Sequence, residues 1–263
     1  MTTAELRVTP PRVVRMEWIK FWSLRSTIYT LAITALLTIG IGTLISAVIG
    51  TGDDGPGQDD FSDPASISLS GVMLAALAIA ALGVLMSTGE YASGMIRATL
   101  AAVPARLPVL WAKAIVFAAV SFILMLATSL AAFLAGQAIL SSRGFSSVAL
   151  SDPGVFRAVV GAAVYLTGAG LIGLAVGALL RNTAGAITTV VGALFVLPVL
   201  IQLLPASWND AISPYLPSNA AGSFMAVEAA SPSLSAWPGL AVFAGYIAVL
   251  LAGAAILLKR RDA

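Results

Sequence analysis

Apolar residues run along the chain in six long stretches free of Asp, Glu, Lys and Arg: 26–52, 64–89, 114–142, 158–180, 182–209 and 229–258. Each is longer than the about 20 residues that a helix needs to cross the roughly 30 Å hydrocarbon layer of a bilayer. Trimmed of Gly, Pro and Ser ends, they predict transmembrane helices at about 27–49, 68–89, 114–140, 158–180, 183–204 and 238–258. Only Arg181 parts the fourth from the fifth. A single helix through both would be about 70 Å long, so the chain must turn at Arg181-Asn182-Thr183. Pro198 predicts a kink in the fifth span and Pro205 its stop. The pattern specifies an all-α polytopic membrane protein with a six-helix transmembrane domain over 27–258. A cytoplasmic N-terminal segment, 1–26, precedes it, and a short basic tail, 259–263, follows.

The segments between spans carry their own patterns. Over residues 12–26, a helical wheel gathers Val14, Trp18, Phe21 and Trp22 on one side and Arg12, Arg15, Ser23 and Ser26 on the other. This predicts an interfacial amphipathic helix, with indoles at headgroup depth and basic groups toward an anionic leaflet. Between the second and third spans, Glu90 ends an uncharged run and falls at the membrane boundary. A lone carboxylate is costly there, and Arg97, Arg106 or a helix N-terminus are the expected compensations. Met95–Ala102 can form a short helix stopped by Pro104 and Pro108, at a face where a cytoplasmic partner could dock; the plain alternative is a basic turn without a partner. The acidic loop 52–63 fails the spacing of a calcium-binding EF-hand and reads as a solvated turn. The apolar connection 205–237 should fold back on the membrane surface or cap the bundle, a candidate substrate gate or, equally, an ordinary interfacial loop.

Composition turns this into a statement about power. The chain has 263 residues, of which 14 are Lys or Arg and 12 Asp or Glu; 10% are charged, 59% are hydrophobic, and the mean hydropathy is +0.98. Soluble domains are about one quarter charged, so a soluble globule is excluded. Cysteine and histidine are absent, which removes disulfides, thiolate metal sites, thiol nucleophiles and the commonest general base. With the N-terminus in the cytoplasm, 12 of the 14 basic residues fall inside, leaving Arg143 and Arg157 outside, and eight of the 12 acids fall outside. That matches the positive-inside bias and places both termini in the cytoplasm. The first apolar stretch is too long for the core of a cleavable signal and is expected to stay in the membrane. Every Asp, Glu, Lys and Arg falls at a span end or in a loop, where a proton- or sodium-coupled carrier would place some at midplane. No G-x-x-x-x-G-K-[ST] phosphate loop occurs. The chain is expected to have no catalytic residues, metal or cofactor of its own, and any transport must be powered by another polypeptide. Small-residue spacing at Gly168, Gly170, Gly173 and Gly177 permits close helix approach, by default inside the monomer.

Three stretches are similar to a known class: the basic segment containing Glu17 and Lys20; GEYASGMIRATLAAVPAR, 89–106, with its Glu90, Gly94, Arg97 pattern; and GLAVGALLRNTAGA, 173–186. With the LPSNA run at 216–220 and the six-span layout, the chain resembles the permease subunits of type-2 ATP-binding-cassette (ABC) transporters, the bacterial exporter class. The resemblance implies multi-pass residence in a bacterial plasma membrane. It further implies a second permease copy or paralogue and two cytoplasmic ABC ATPase subunits that bind ATP and Mg, with no nucleic-acid partner. By the same resemblance Glu90, Gly94, Arg97 and Arg106 belong to the ATPase-coupling region. The interfacial helix with Arg15, Glu17, Trp18, Lys20 and Trp22 would lie against the ATPases, and substrate would pass between the two permeases, chiefly along spans two and five. The alternative is a non-transporting sensor, immunity or assembly protein on the same scaffold, with a secondary transporter third.

Overall fold

A computed structural model describes residues 9–49, 63–95, 99, 106–227 and 233–260. Regular structure among them is entirely helical: α1 (Pro10–Ser23), α2 (Arg25–Val48), α3 (Pro64–Ser68), α4 (Gly71–Ala92), α5 (Arg106–Ser142), α6 (Val155–Leu180), α7 (Thr183–Val191), α8 (Leu197–Ile201), α9 (Ala206–Ile212), α10 (Pro217–Met225) and α11 (Ala236–Arg260). Six are long and apolar enough to cross a membrane, α7 and α8 counting as one span. This is an all-α polytopic membrane protein.

Burial ranks the spans. In α6, 83% of the most apolar window is buried inside the protein, and in α4 67%, against 22% in α7–α8 and 17% in α11. The α4–α6 pair is the most extensive contact in the molecule, and glycine makes it possible. A Cβ on Gly83 would stand 1.9 Å from the Gly170 carbonyl oxygen, and one on Gly173 2.1 Å from that of Ala80. The two backbones therefore touch. In lipid, where the surroundings are as apolar as the side chains, such close van der Waals packing is what holds helices together. Gly168 lies instead under the Phe243 ring of α11. The glycine run packs within the chain.

Several elements differ from their expected bounds. The second span begins as two pieces: α3, capped by Asp63 accepting from the Ala65 and Ser66 amides, then a turn at Leu69–Ser70, then α4. The third span starts at Arg106, eight residues early. Pro108 opens this helix where it was expected to stop one, because first-turn amides have no intrahelical acceptor to lose. At 37 residues, α5 is about 55 Å long, so one end projects well beyond the hydrocarbon layer. The fourth-to-fifth hairpin is as tight as expected: Arg181 takes a left-handed conformation (φ 54°), and Asn182 caps α7 by accepting from the Gly185 amide at 2.8 Å. Pro198 acts through a π-turn at Gly192–Val196, whose wider winding absorbs the missing amide and the ring's demand for space.

At the end of the bundle away from the N-terminal helix, α10 buries Ala220, Ala221 and Phe224 against α6 and α11, so this part of the connection caps the bundle. The two basic residues on this side are clamps. Arg143 donates to the carbonyls of Ala47 and Ile49, and Arg157 to those of Ala226 and Val227, at 2.9 and 3.0 Å. The acidic loop lies outside the described residues except for Asp63.

Candidate functional site: a buried charge cluster beside the N-terminal helix

The edge of α1 that enters the protein is Val13, Glu17 and Phe21, one residue every four. Phe21 is therefore fully buried and does not share a face with Trp18 and Trp22, which remain exposed with ring centroids 5.9 Å apart; Arg15 is exposed as well. The wheel grouped Phe21 with the indoles by polarity, whereas packing selects the strict fourfold spacing. Helix α1 thus lies docked along α5, and a one-residue extended break at Leu24 separates it from α2.

Glu17, in the middle of that edge, is 0% exposed. Its carboxylate accepts from Lys113 Nζ of α5 at 2.7 Å through Oε2, and from Lys20 Nζ at 3.1 Å through Oε1. The same two ammonium groups donate to Glu90 Oε1 at the end of α4, Lys113 at 2.7 Å and Lys20 at 3.1 Å. Lys20 also donates to Thr99 Oγ1 at 3.1 Å. Two carboxylates and two ammonium groups form a closed, neutral ring that joins α1, α4, α5 and the segment at Thr99. Burial of ions is tolerable only with such pairing. The partners of Glu90 are accordingly Lys20 and Lys113. Arg97, the compensation expected for it, lies outside the described residues, as does the rest of 96–105 apart from Thr99; Arg106 is described only as the first residue of α5. Gly94 has a local role: at φ 70° it takes the left-handed position that ends α4, its amide donating to the Tyr91 carbonyl at 3.2 Å.

The end of α4 is tied on its other side to the fourth-to-fifth hairpin. Ser87 Oγ donates to the Leu174 carbonyl at 2.8 Å, and Thr183 Oγ1 to Thr88 Oγ1 at 2.9 Å. The Arg181 guanidinium lies 5.0 Å above the Tyr91 ring, within cation–π range. One and a half turns of α4 therefore connect to three other transmembrane helices and to the surface helix.

Sequence reasoning named Glu17, Lys20 and Glu90 separately, and the fold brings them together. It missed Lys113 and Thr99. Lys113 carried a readable signal: it falls four residues after Val109 and four before Phe117, both buried, as Glu17 falls between Val13 and Phe21. A charge in step with an apolar register must either disrupt the packing or meet its counter-charge, and here two such charges meet each other. The ring contains no nucleophile–base pair, and among the described residues no group of three or more Asp or Glu is placed to hold a metal ion. The ring ties α1 to the end of α4 and the start of α5. No protein-family model and no curated protein matches the chain.

Proposed function

We propose that the chain is the membrane-embedded permease subunit of an ATP-driven exporter of the type-2 ABC class, working as a dimer with a second copy or paralogue in a bacterial plasma membrane. The observation that carries this reading is the Glu17–Lys113–Glu90–Lys20 ring. It ties the amphipathic helix α1, which this reading places on the cytoplasmic surface, to the end of the second span and the start of the third through four buried or half-buried ion pairs. A device that only anchored α1 needs no buried ions, since apolar contacts would hold it as well. A device that must carry a push from a cytoplasmic ATPase into the spans benefits from a joint that cannot slip by one turn, because a slip leaves charges unpaired. In this mechanism the ATPase subunits bind ATP and Mg and close, the surface helix and the segment around Thr99 are displaced together, and α4 and α5 carry the displacement outward. Glu90, Gly94, Arg97 and Arg106 belong to that coupling segment, with Glu17, Lys20 and Lys113 as its anchor.

The test is purification of the tagged chain from its native membranes, followed by reconstitution with the ATPase that accompanies it. A cassette ATPase is expected to copurify, and its hydrolysis to be stimulated by the wild-type chain. Glu90→Gln should lose that stimulation while the complex still assembles. Unchanged stimulation would remove the ring from the coupling path, and solute movement on a proton gradient without ATP would overturn the assignment.

A further inference from the structure

The hairpin between the fourth and fifth spans turns on Arg181, which among the described residues is the one non-glycine residue with a positive φ, 54°. A left-handed backbone crowds the Cβ of an L residue against the following carbonyl, and glycine adopts it without that cost. Glycine is accordingly the usual residue just past a helix end, and Gly94 and Gly144 hold that position after α4 and α5. The end of α6 is the exception. What arginine adds there is its side chain, whose guanidinium lies 5.0 Å above the ring of Tyr91 in the last turn of α4. A residue held at a backbone cost points to a task for that side chain.

The contacts around it show what the task is. Thr183 Oγ1, at the start of α7, donates to Thr88 Oγ1 of α4 at 2.9 Å, beside the guanidinium. Farther along, the same two helices pack less closely: a void of about 10 Å³ separates Ala80, Ala81 and Val84 of α4 from Ile187, Val190 and Val191 of α7. Atoms that line a gap lack partners across it, and only 22% of the fifth span's most apolar window is buried. The firm attachment of the fifth span to the second therefore lies at the hairpin. Tyr91 also directly follows Glu90, whose carboxylate belongs to the charge ring. We propose that Arg181 is a positioning residue: its guanidinium on Tyr91, with the Thr183–Thr88 bond, locks the entry of the fifth span to the Glu90 end of the second, so that the two move as one when the ring is displaced. The driving force rests on the exporter reading above, whereas the lock is a property of the single chain. A third span thus receives the displacement, at its first turn.

Arg181→Gly and Arg181→Ala separate the backbone from the side chain, because both remove the guanidinium and only alanine keeps the backbone cost. Thermal unfolding of the full chain in detergent should place Arg181→Gly about 3 °C above Arg181→Ala. If Arg181 were merely structural, every other readout would follow that order. The lock is read in the chain alone, in nanodiscs, from nitroxides on Ser93→Cys and Thr188→Cys, both exposed positions in the naturally cysteine-free chain. Double electron–electron resonance then gives the spread of distances between the end of α4 and α7. Arg181→Gly, Arg181→Ala and Tyr91→Leu should each widen the spread at least about twofold, while Tyr91→Phe, which keeps a ring face under the guanidinium, leaves it narrow. In the complex with the copurified ATPase, Arg181→Gly should lower the stimulation of hydrolysis about fivefold, the equivalent of one cation–π contact, despite its higher unfolding temperature than Arg181→Ala. Tyr91→Phe should retain the stimulation. The inference is overturned if Arg181→Gly unfolds no higher than Arg181→Ala, if the spread ignores both Arg181→Gly and Tyr91→Leu, or if stimulation follows the unfolding temperature instead of the guanidinium. If no ATPase accompanies the chain, the exporter assignment fails by itself and the nitroxide spread decides the lock.

Discussion

Replacing Lys113 by methionine removes the centre of the charge ring while keeping the length and apolar stem of the side chain. Lys113 makes both of the 2.7 Å contacts, one to each carboxylate, and is 6% exposed; Lys20 makes the two 3.1 Å contacts and keeps 23% of its side chain accessible. After Lys113→Met, Glu17 and Glu90 share a single ammonium group and the ring carries a net charge of about −1 in a buried position. Removing one partner of a buried ion pair costs about 3–5 kcal/mol. The same substitution at Lys20 also leaves a net charge of about −1, but both carboxylates keep their 2.7 Å contacts with Lys113 and the vacated position, 23% accessible, admits water, so its cost should be the smaller of the two. Reversible unfolding by SDS in mixed micelles, followed through Trp18, Trp22 and Trp111, measures both. The double variant Lys113→Met/Glu90→Gln restores neutrality around Glu17 and Lys20 and should be at least about 1 kcal/mol more stable than the sum of its single effects, in the range found for contacting residues. A Lys113→Met loss no larger than that of Lys20→Met, or strict additivity in the double variant, would refute the view of the ring as one cooperative unit.

Two further outcomes follow from the packing and the charge bias. Gly83→Ala should cost about 3 kcal/mol or more by forcing apart backbones that leave 1.9 Å for its methyl group, whereas Gly245→Ala, which meets nothing within 4 Å, should stabilise by up to about 1 kcal/mol through helix propensity; thermal unfolding in detergent separates them. Cysteines placed at Ser93 and Ser146 in the naturally cysteine-free chain should react with a membrane-impermeant maleimide from opposite sides of sealed vesicles, Ser146→Cys from outside, and labelling of both from one side contradicts the assigned topology.

The six spans were legible because each is bounded by charge, and the criterion depends only on length and hydropathy. Their ends were less so. The α3–α4 break has no proline or charge to mark it, and arises where Gly71 comes against the Leu37 and Thr38 backbone of α2. Pro108 was read as a stop because the rule for helix interiors was applied to a first turn. At the site, Glu90 was conspicuous as the one acid at the inner boundary, but its partners were sought nearby in sequence. Lys113 lies 23 residues on and Lys20 70 residues back. A buried counter-ion is selected by proximity in the folded bundle, and the trace it leaves is a charge occupying an apolar register. Likewise Phe21 was assigned by its polarity, while its burial depends on which edge of α1 meets α5.

The depth of α6 also sets the order in which the molecule can be assembled. During synthesis the first three spans emerge before their principal partner exists: α4 leaves the ribosome with its glycine-lined face bare, and the surface against which Gly83 and Ala80 pack arrives only with residues 170–173. Until then the early helices can be held by the inner ring and by contacts among α2, α4 and α5, but the bundle has no centre. The last two spans, shallowly buried, then add to a frame already closed. A chain arrested before residue 155 would therefore expose its most interaction-prone helix to the membrane's quality-control proteases, whereas one arrested after residue 180 would already be shielded.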